Sequence, residues 1–237
     1  MPKTPIWKSI AATIGDEIAK GHYGPGDKLP TEAALSARFG VNRHTVRHAL
    51  SDMAERGLVR ARRGAGGFVE AEPTDYPIGR RVRFHQNIRA SGRLPQKAVL
   101  RIEERGADLS EAAALEIAQG APVIVYEGLS FSEGTPIAHF ISVFPKATVP
   151  GLAATLGEVT SVTEALVRNG IDDYVRAETR ISVDHASATQ AIHLRIGSGD
   201  AVLKSVGINR TEGGLPIEYG TTWFAGDKVT LTVAPDS

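Results

Sequence analysis

The 237-residue chain has no cysteine. That excludes a disulfide framework, thiolate metal ligation and thiol nucleophiles. It has no apolar run near the ~20 residues that a membrane-spanning helix needs. Its first segment, MPKTPIWKSIAATIGDEIAKG, is interrupted by Lys8, Asp16 and Glu17 and lacks the apolar core of a secretion signal, so a cytoplasmic protein with no membrane partner is expected. It has no HExxH, no Walker-type glycine loop and no nucleophile–base constellation. No enzymatic activity, metal or cofactor is therefore expected.

Net charge is also absent: 27 basic residues balance 27 acidic ones. The balance conceals an asymmetry. Residues 1–72 hold 11 basic and 8 acidic residues, leaving an acidic excess of three in residues 73–237. Between positions 38 and 63 stand Arg38, Arg43, Arg47, Arg56, Arg60, Arg62 and Arg63, against only Asp52 and Glu55. A basic module on an acidic body points to a local anion-binding surface. A solvated helix face is the plainer reading of such a run, and the surrounding pattern decides between them.

That pattern is specific. Trp7, Ile10, Ile14 and Ile18 recur at helical spacing, and Gly21 with Gly24-Pro25-Gly26 ends the helix. Thr31 is placed to cap a second short helix, with Glu32 in its first turn and Gly40 at its end. Asn42 opens a third helix. Val46, Leu50 and Met53 face inward there, and Arg43 and Arg47, four apart, share an outward face with His44 and His48 beside them. Leu58-Val59 and Phe68-Val69 bracket a glycine-rich hairpin tip. Three helices with a tight glycine turn, then a hairpin, make a winged helix-turn-helix pattern.

The remainder alternates strands and helices joined largely by hairpins, which argues for an α+β domain with an antiparallel sheet. Pro73 and Pro77 are expected to break regular structure in a linker that acts as the hinge between domains 1–72 and 73–237. A short helix is expected from Phe84 to Gly92, a strand near 97–108, and a helix capped by Ser110. Two strands follow, joined at Glu133-Gly134. Then come a helix near 161–171, a strand near 174–186, a helix near 187–199, a second long hairpin and a last strand at 228–234. The stretches EGTPI and GGLPI hint at a weak internal repeat.

The stretch PGDKLPTEAALSARFGVNRHTVRHALSDMAERGLVRARRGAGGFV closely resembles the DNA-binding domain of GntR-family bacterial transcription regulators. The remainder resembles their HutC-type effector domain (UTRA), which shares the chorismate-lyase fold. YPIGRRVRFHQNIRASGRLP, ETRISVDHASA and LPIEYGTTWFAGDKVTL look most like the phosphonate-metabolism regulators of that group. The resemblance implies a homodimeric repressor on an inverted-repeat operator in double-stranded DNA, relieved by a small-molecule effector. Carried over where residues match, it implies DNA contacts from Asn42, Arg43, His44 and Arg47, from Lys28 and Thr31 at the second helix, and from Arg63 and Gly64 at the wing tip. Two departures stand out. Ala33 replaces a frequent arginine, and Gly67 replaces a frequent threonine, which is expected to loosen the wing.

Arg80, Arg81 and Arg83 precede a helix start at Phe84 and His85, a candidate site for an anionic, phosphonate-like effector. The same arginines also suit DNA phosphates or acids of the body. Relatives that bind sugar phosphates tend to carry ERxR on the first hairpin and an acid after PIA. Here Gly128 and Ser130 take the arginine places and Phe140 the acid's, which argues against an amino-sugar ligand. Ser130, His139, Glu218 and Phe224 remain candidate pocket residues, with Glu218 suited to a ligand amine. A sugar phosphate, an amino acid or an organic acid is the alternative effector. A nucleoid-type DNA binder without any ligand is a further alternative.

Overall fold

The computed structural model describes residues 5–62, 66–71, 73–81, 84, 88–89 and 92–233. The chain forms two compact units, residues 1–72 and 73–237. Arg63, Gly64, Arg83 and His85, and most of the short helix expected before Gly92, lie outside the described residues.

The first unit contains α1 (Ile6–Ala19), α2 (Glu32–Phe39) and α3 (Arg43–Glu55), then strands β1 (Val59–Arg62) and β2 (Gly66–Val69). Thr31 caps α2 by accepting from the Ala34 amide at 3.2 Å, and Asn42 caps α3 by accepting from the Thr45 amide at 2.9 Å. Gly40 takes the left-handed conformation at φ 64° that the tight turn between them requires. Ile10, Ile14, Leu35, Val46, Ala49 and Met53 form the core, each 3% exposed or less. Each large side chain among them contributes about 1.5–3 kcal/mol by leaving water. Leu50 is only half-buried at its edge. The hairpin has a third member: Lys28 bridges Phe68, and the Leu29 amide donates to the Gly67 carbonyl at 2.9 Å. Gly67 is thus held between two backbone neighbours.

The second unit is built on one antiparallel sheet in the order β4-β5-β6-β9-β8-β7. The strands are β4 (Pro95–Gly106), β5 (Pro122–Ser132), β6 (Thr135–Pro145), β7 (Val175–His185), β8 (Ala201–Arg210) and β9 (Pro216–Ala225). Among the described residues, the helices α4 (Leu109–Leu115), α5 (Leu152–Glu158), α6 (Val162–Arg168) and α7 (Ala188–Leu194) accompany it. Central β5 and β6 are covered on both faces, which explains their near-continuous apolar runs. Ile124, Tyr126, Phe140 and Phe144 pack against α5 and α6. Val123, Val125 and Val143 pack on the other face with Ala112 and Leu115 of α4. Glu133 and Gly134 both have positive φ, 50° and 76°, the two-residue turn expected of that hairpin.

Two local expectations need correction. The prolines do not make an irregular linker: β3 (Thr74–Pro77) pairs in parallel with β10 (Val229–Thr232). A proline at the end of a two-stranded ribbon removes little from the ladder, and Thr74 and Tyr76 are buried. Residues 74–77 therefore belong to an ordered ribbon of the second unit and not to an irregular hinge. Ser110 does not cap α4. Asp108 does, because Glu111 stands three residues after it and completes a reciprocal capping box. The start of α5 carries no local sequence signal: its N-cap is Gly151, with no side-chain cap.

Candidate functional site

Two surfaces carry the chemistry, one in each unit. On the first, the arginine cluster is less free than its sequence implies. Arg38 pairs with Glu17, and Arg56 with Asp52 at 2.8 Å. Arg47 makes a two-pronged pair with Glu32, Nε to Oε1 at 3.1 Å and Nη2 to Oε2 at 2.8 Å. That pair holds the Glu32 carboxyl below its usual range. Arg47 nevertheless stays 65% exposed, and an exposed pair of this kind is given up at little cost to a phosphate or a base edge. Arg43 and His44 are exposed, and Arg43 makes no ion pair among the described residues. The first turn of α3 carries these basic groups and no acid. Such an end of a helix lacks its usual negative partner and favours an external anion.

Other candidates have structural duties. The Asn42 and Thr31 side-chain oxygens serve as helix caps. His48 stacks on Trp7, ring centroids 4.3 Å apart, and so tethers α3 to α1. Lys28 is exposed beside the wing, its ammonium 6.0 Å from the Phe68 ring.

In the second unit, the α5–α6 side of the sheet encloses a cavity of about 400 Å³. Phe84, Ser130, Glu218 and Phe224 line it. Arg80, Arg81 and His139 do not. Arg80 gives its carbonyl to the Arg176 amide, and Arg81 pairs with Asp173 at 2.7 Å. His139 projects to the opposite face, since its neighbours Ala138 and Phe140 are the ones that line the cavity. There it stacks on Trp223 and meets Glu127 at 2.8 Å. Burial pushes the His139 imidazole below its usual pKa, opposed by Glu127. His139 is a packed structural residue behind the site.

The cavity's cations come from elsewhere: Arg89, Lys97 of β4 and Arg176 of β7. The Lys97 ammonium lies 4.7 Å from the Phe140 ring centroid and 5.4 Å from that of Phe84. Desolvation lowers its pKa to about 8, with the Glu218 carboxylate pulling the other way. Glu218 accepts from Ser142 Oγ and Asn209 Nδ2, both at 2.6 Å. A second carboxylate, Glu164, also lines the cavity but is paired with Arg168 at 2.6 Å. Three cations, the oriented Glu218 carboxylate and a wall of Tyr76, Phe84, Phe140 and Phe224 suit a small anion that also carries a donor group.

Residues 7–69 match the gntR family of bacterial regulatory proteins, and residues 90–230 match the UTRA domain. The chain is a GntR-family regulator. It is 37% identical over 229 residues to an uncharacterized HTH-type transcriptional regulator of Rhizobium meliloti, covering 96% of this chain and 94% of that one. It is 32% identical over 237 residues to the probable transcriptional regulator PhnF of Escherichia coli, with the same coverage. The crystal structure of PhnF from Mycobacterium smegmatis shares its fold at a TM-score of 0.65 and 23% identity, over 96% of this chain and 99% of that one. The regulator thus pairs a GntR DNA-binding domain with a UTRA effector domain, and its relatives are transcriptional regulators rather than enzymes. Members of the family bind DNA operators and small-molecule effectors.

Proposed function

We propose that this regulator is a cytoplasmic, homodimeric repressor of phosphonate uptake or degradation genes. It grips an inverted-repeat operator through Arg43, Arg47 and the wing. A small anionic effector of the phosphonate class, carrying an amine, binds in the UTRA cavity and changes operator affinity. One observation carries this reading: the cavity holds Arg89, Lys97 and Arg176 against two carboxylates, Glu218 and Glu164, and Glu164 is already paired with Arg168 at 2.6 Å. The likeness to phosphonate-metabolism regulators supports it. Phe140 and Gly128, standing where sugar-phosphate-binding relatives keep charged groups, speak against a sugar phosphate.

A thermal-shift screen of the full-length protein tests it, using aminoalkylphosphonates, inorganic phosphate, sugar phosphates and amino acids. A ligand at ~100 times its dissociation constant stabilises the fold by about 2.7 kcal/mol. The expected result is a shift with aminoalkylphosphonates and none with sugar phosphates. A shift only with sugar phosphates or amino acids leaves a ligand-responsive regulator and removes the phosphonate assignment.

The cavity also makes effector binding proton-linked. Only protonated Lys97 attracts an anion, and its pKa stands near 8. Once the phosphonate is fully ionised, affinity should hold up to about pH 8 and fall as much as about tenfold per unit above it. Calorimetric titration from pH 6.5 to 9.5 checks this; a flat profile would remove Lys97 from the site. The ligand-free fold should behave oppositely. With the folded pKa below the ordinary 10.5, the unfolded chain holds more protons between pH 8 and 10.5. Lys97's contribution to stability therefore rises through that window.

A further inference from the structure

We infer that the effector's anionic group docks on Arg176 beside Thr179, on a patch of sheet that Gly207 leaves open. The inference rests on the effector reading above and assigns its anion site, in place of Arg80–Arg83. The local backbone comes first. β7 carries a bulge between Arg176 and Glu178: Arg176 pairs with Asn209, Glu178 with Ile208 and Thr179 with Gly207. In a regular strand, residues three apart point to opposite faces. The extra residue resets that alternation, so Arg176 and Thr179 both line the same recess of the cavity wall.

Glycine then makes room. Gly207 of β8 pairs with Gly220 of β9, leaving a spot on the sheet face without side chains. The Arg176 guanidinium lies across it: a Cβ built at position 207 would overlap Arg176 Nη1. No other residue type at 207 is compatible with this position of the guanidinium.

The polar accounting points to a ligand. Arg176 Nε and Thr179 Oγ1 are both buried and have no hydrogen-bond partner. Buried polar atoms in native proteins are nearly always paired, and here two orphans share one recess. Arg176 makes no ion pair among the described residues. The nearby carboxylate, Glu218, is already engaged by Ser142 and Asn209. A compact oxyanion offers what both groups lack: a negative charge for the guanidinium and acceptor oxygens for the Nε–H and the threonine hydroxyl. Glu218, lining the same recess, is then left for the ligand's amine.

Titration calorimetry of the full-length protein tests this with 2-aminoethylphosphonate, inorganic phosphate and β-alanine as probes. Arg176→Gln should raise the dissociation constant for 2-aminoethylphosphonate by about tenfold or more, as expected for a lost charge-assisted bond. Gly207→Ala should do the same by displacing the guanidinium, and Arg81→Gln should change it less than about twofold. Melting curves report whether each variant folds, and Arg176→Gln carries the test if Gly207→Ala does not. Binding by inorganic phosphate that Arg176→Gln abolishes also supports the site; tighter binding of β-alanine than of either phosphorus oxyanion makes the preferred anion a carboxylate and overturns it. If the wild type binds a probe and Arg176→Gln binds it equally well, the anion site is wrong while the effector reading stands. If the wild type binds none of the three, both fall.

Discussion

Replacing Arg43 with alanine should nearly abolish specific operator binding while leaving the fold intact. The side chain is exposed at the first turn of α3, with no ion pair among the described residues to break. Loss of a guanidinium that reads a base edge costs about 1–3 kcal/mol and relaxes specificity at that position. In a two-fold dimer the loss occurs at both half-sites, so the total is ~2–6 kcal/mol, roughly 30-fold to 10⁴-fold in affinity. Fluorescence anisotropy on a labelled operator at fixed salt measures it, with the melting temperature as the control. A pure phosphate contact would instead weaken all sequences alike and flatten the salt dependence. Unchanged operator affinity would remove Arg43 from the recognition surface.

Restoring the arginine of sugar-phosphate-binding relatives, Gly128→Arg, should cost on the order of 3 kcal/mol or more and confer no sugar-phosphate binding. A Cβ at position 128 would lie 2.5 Å from the Ala98 carbonyl oxygen and 2.8 Å from Phe140 Cζ. Side chains approach no closer than about van der Waals contact without displacing something. Phe140 has taken the space and is itself buried against Tyr126, ring centroids 5.1 Å apart. Trimming Phe140 to alanine in the same chain relieves one clash and leaves the backbone one, so rescue should be partial. Chemical denaturation of the single and double variants gives both numbers. A fully stable Gly128→Arg protein would show that the sheet shifts freely there and that sterics at position 128 do not exclude a sugar phosphate.

These residues also show what a linear reading can and cannot find. The helix-turn-helix was legible because its signals are local: caps at Thr31 and Asn42, a left-handed Gly40, apolar residues at helical spacing. The bridge from Lys28 and Leu29 to the wing was not, because those residues reach it from about forty positions away. In the second unit the run Arg80–Arg83 drew attention as a charge cluster, yet Arg81 is spent on Asp173. The cavity's described cations are scattered in sequence at 89, 97 and 176, and they meet only in the folded unit. His139 and Glu218 looked alike as polar residues on strands. Strand parity separates them, and parity depends on bulges such as those at Val99/Arg101, Ser130/Phe131 and Arg176/Glu178. Those irregularities have no sequence signature here, and one of them builds the recess at Arg176. The glycine at 207 was visible all along, but its meaning depends on what lies across it.

Coupling between the two units is the central claim, and one titration addresses it most directly. Labelled DNA from the region upstream of the regulator's own gene is titrated with the full-length protein, with and without saturating 2-aminoethylphosphonate. Ordinary coupling of ~1–3 kcal/mol should shift the affinity about 5–150-fold. A shift of that size, lost in Arg176→Gln, is the predicted result. Identical curves with and without the phosphonate, in a protein that demonstrably binds it, would contradict the account.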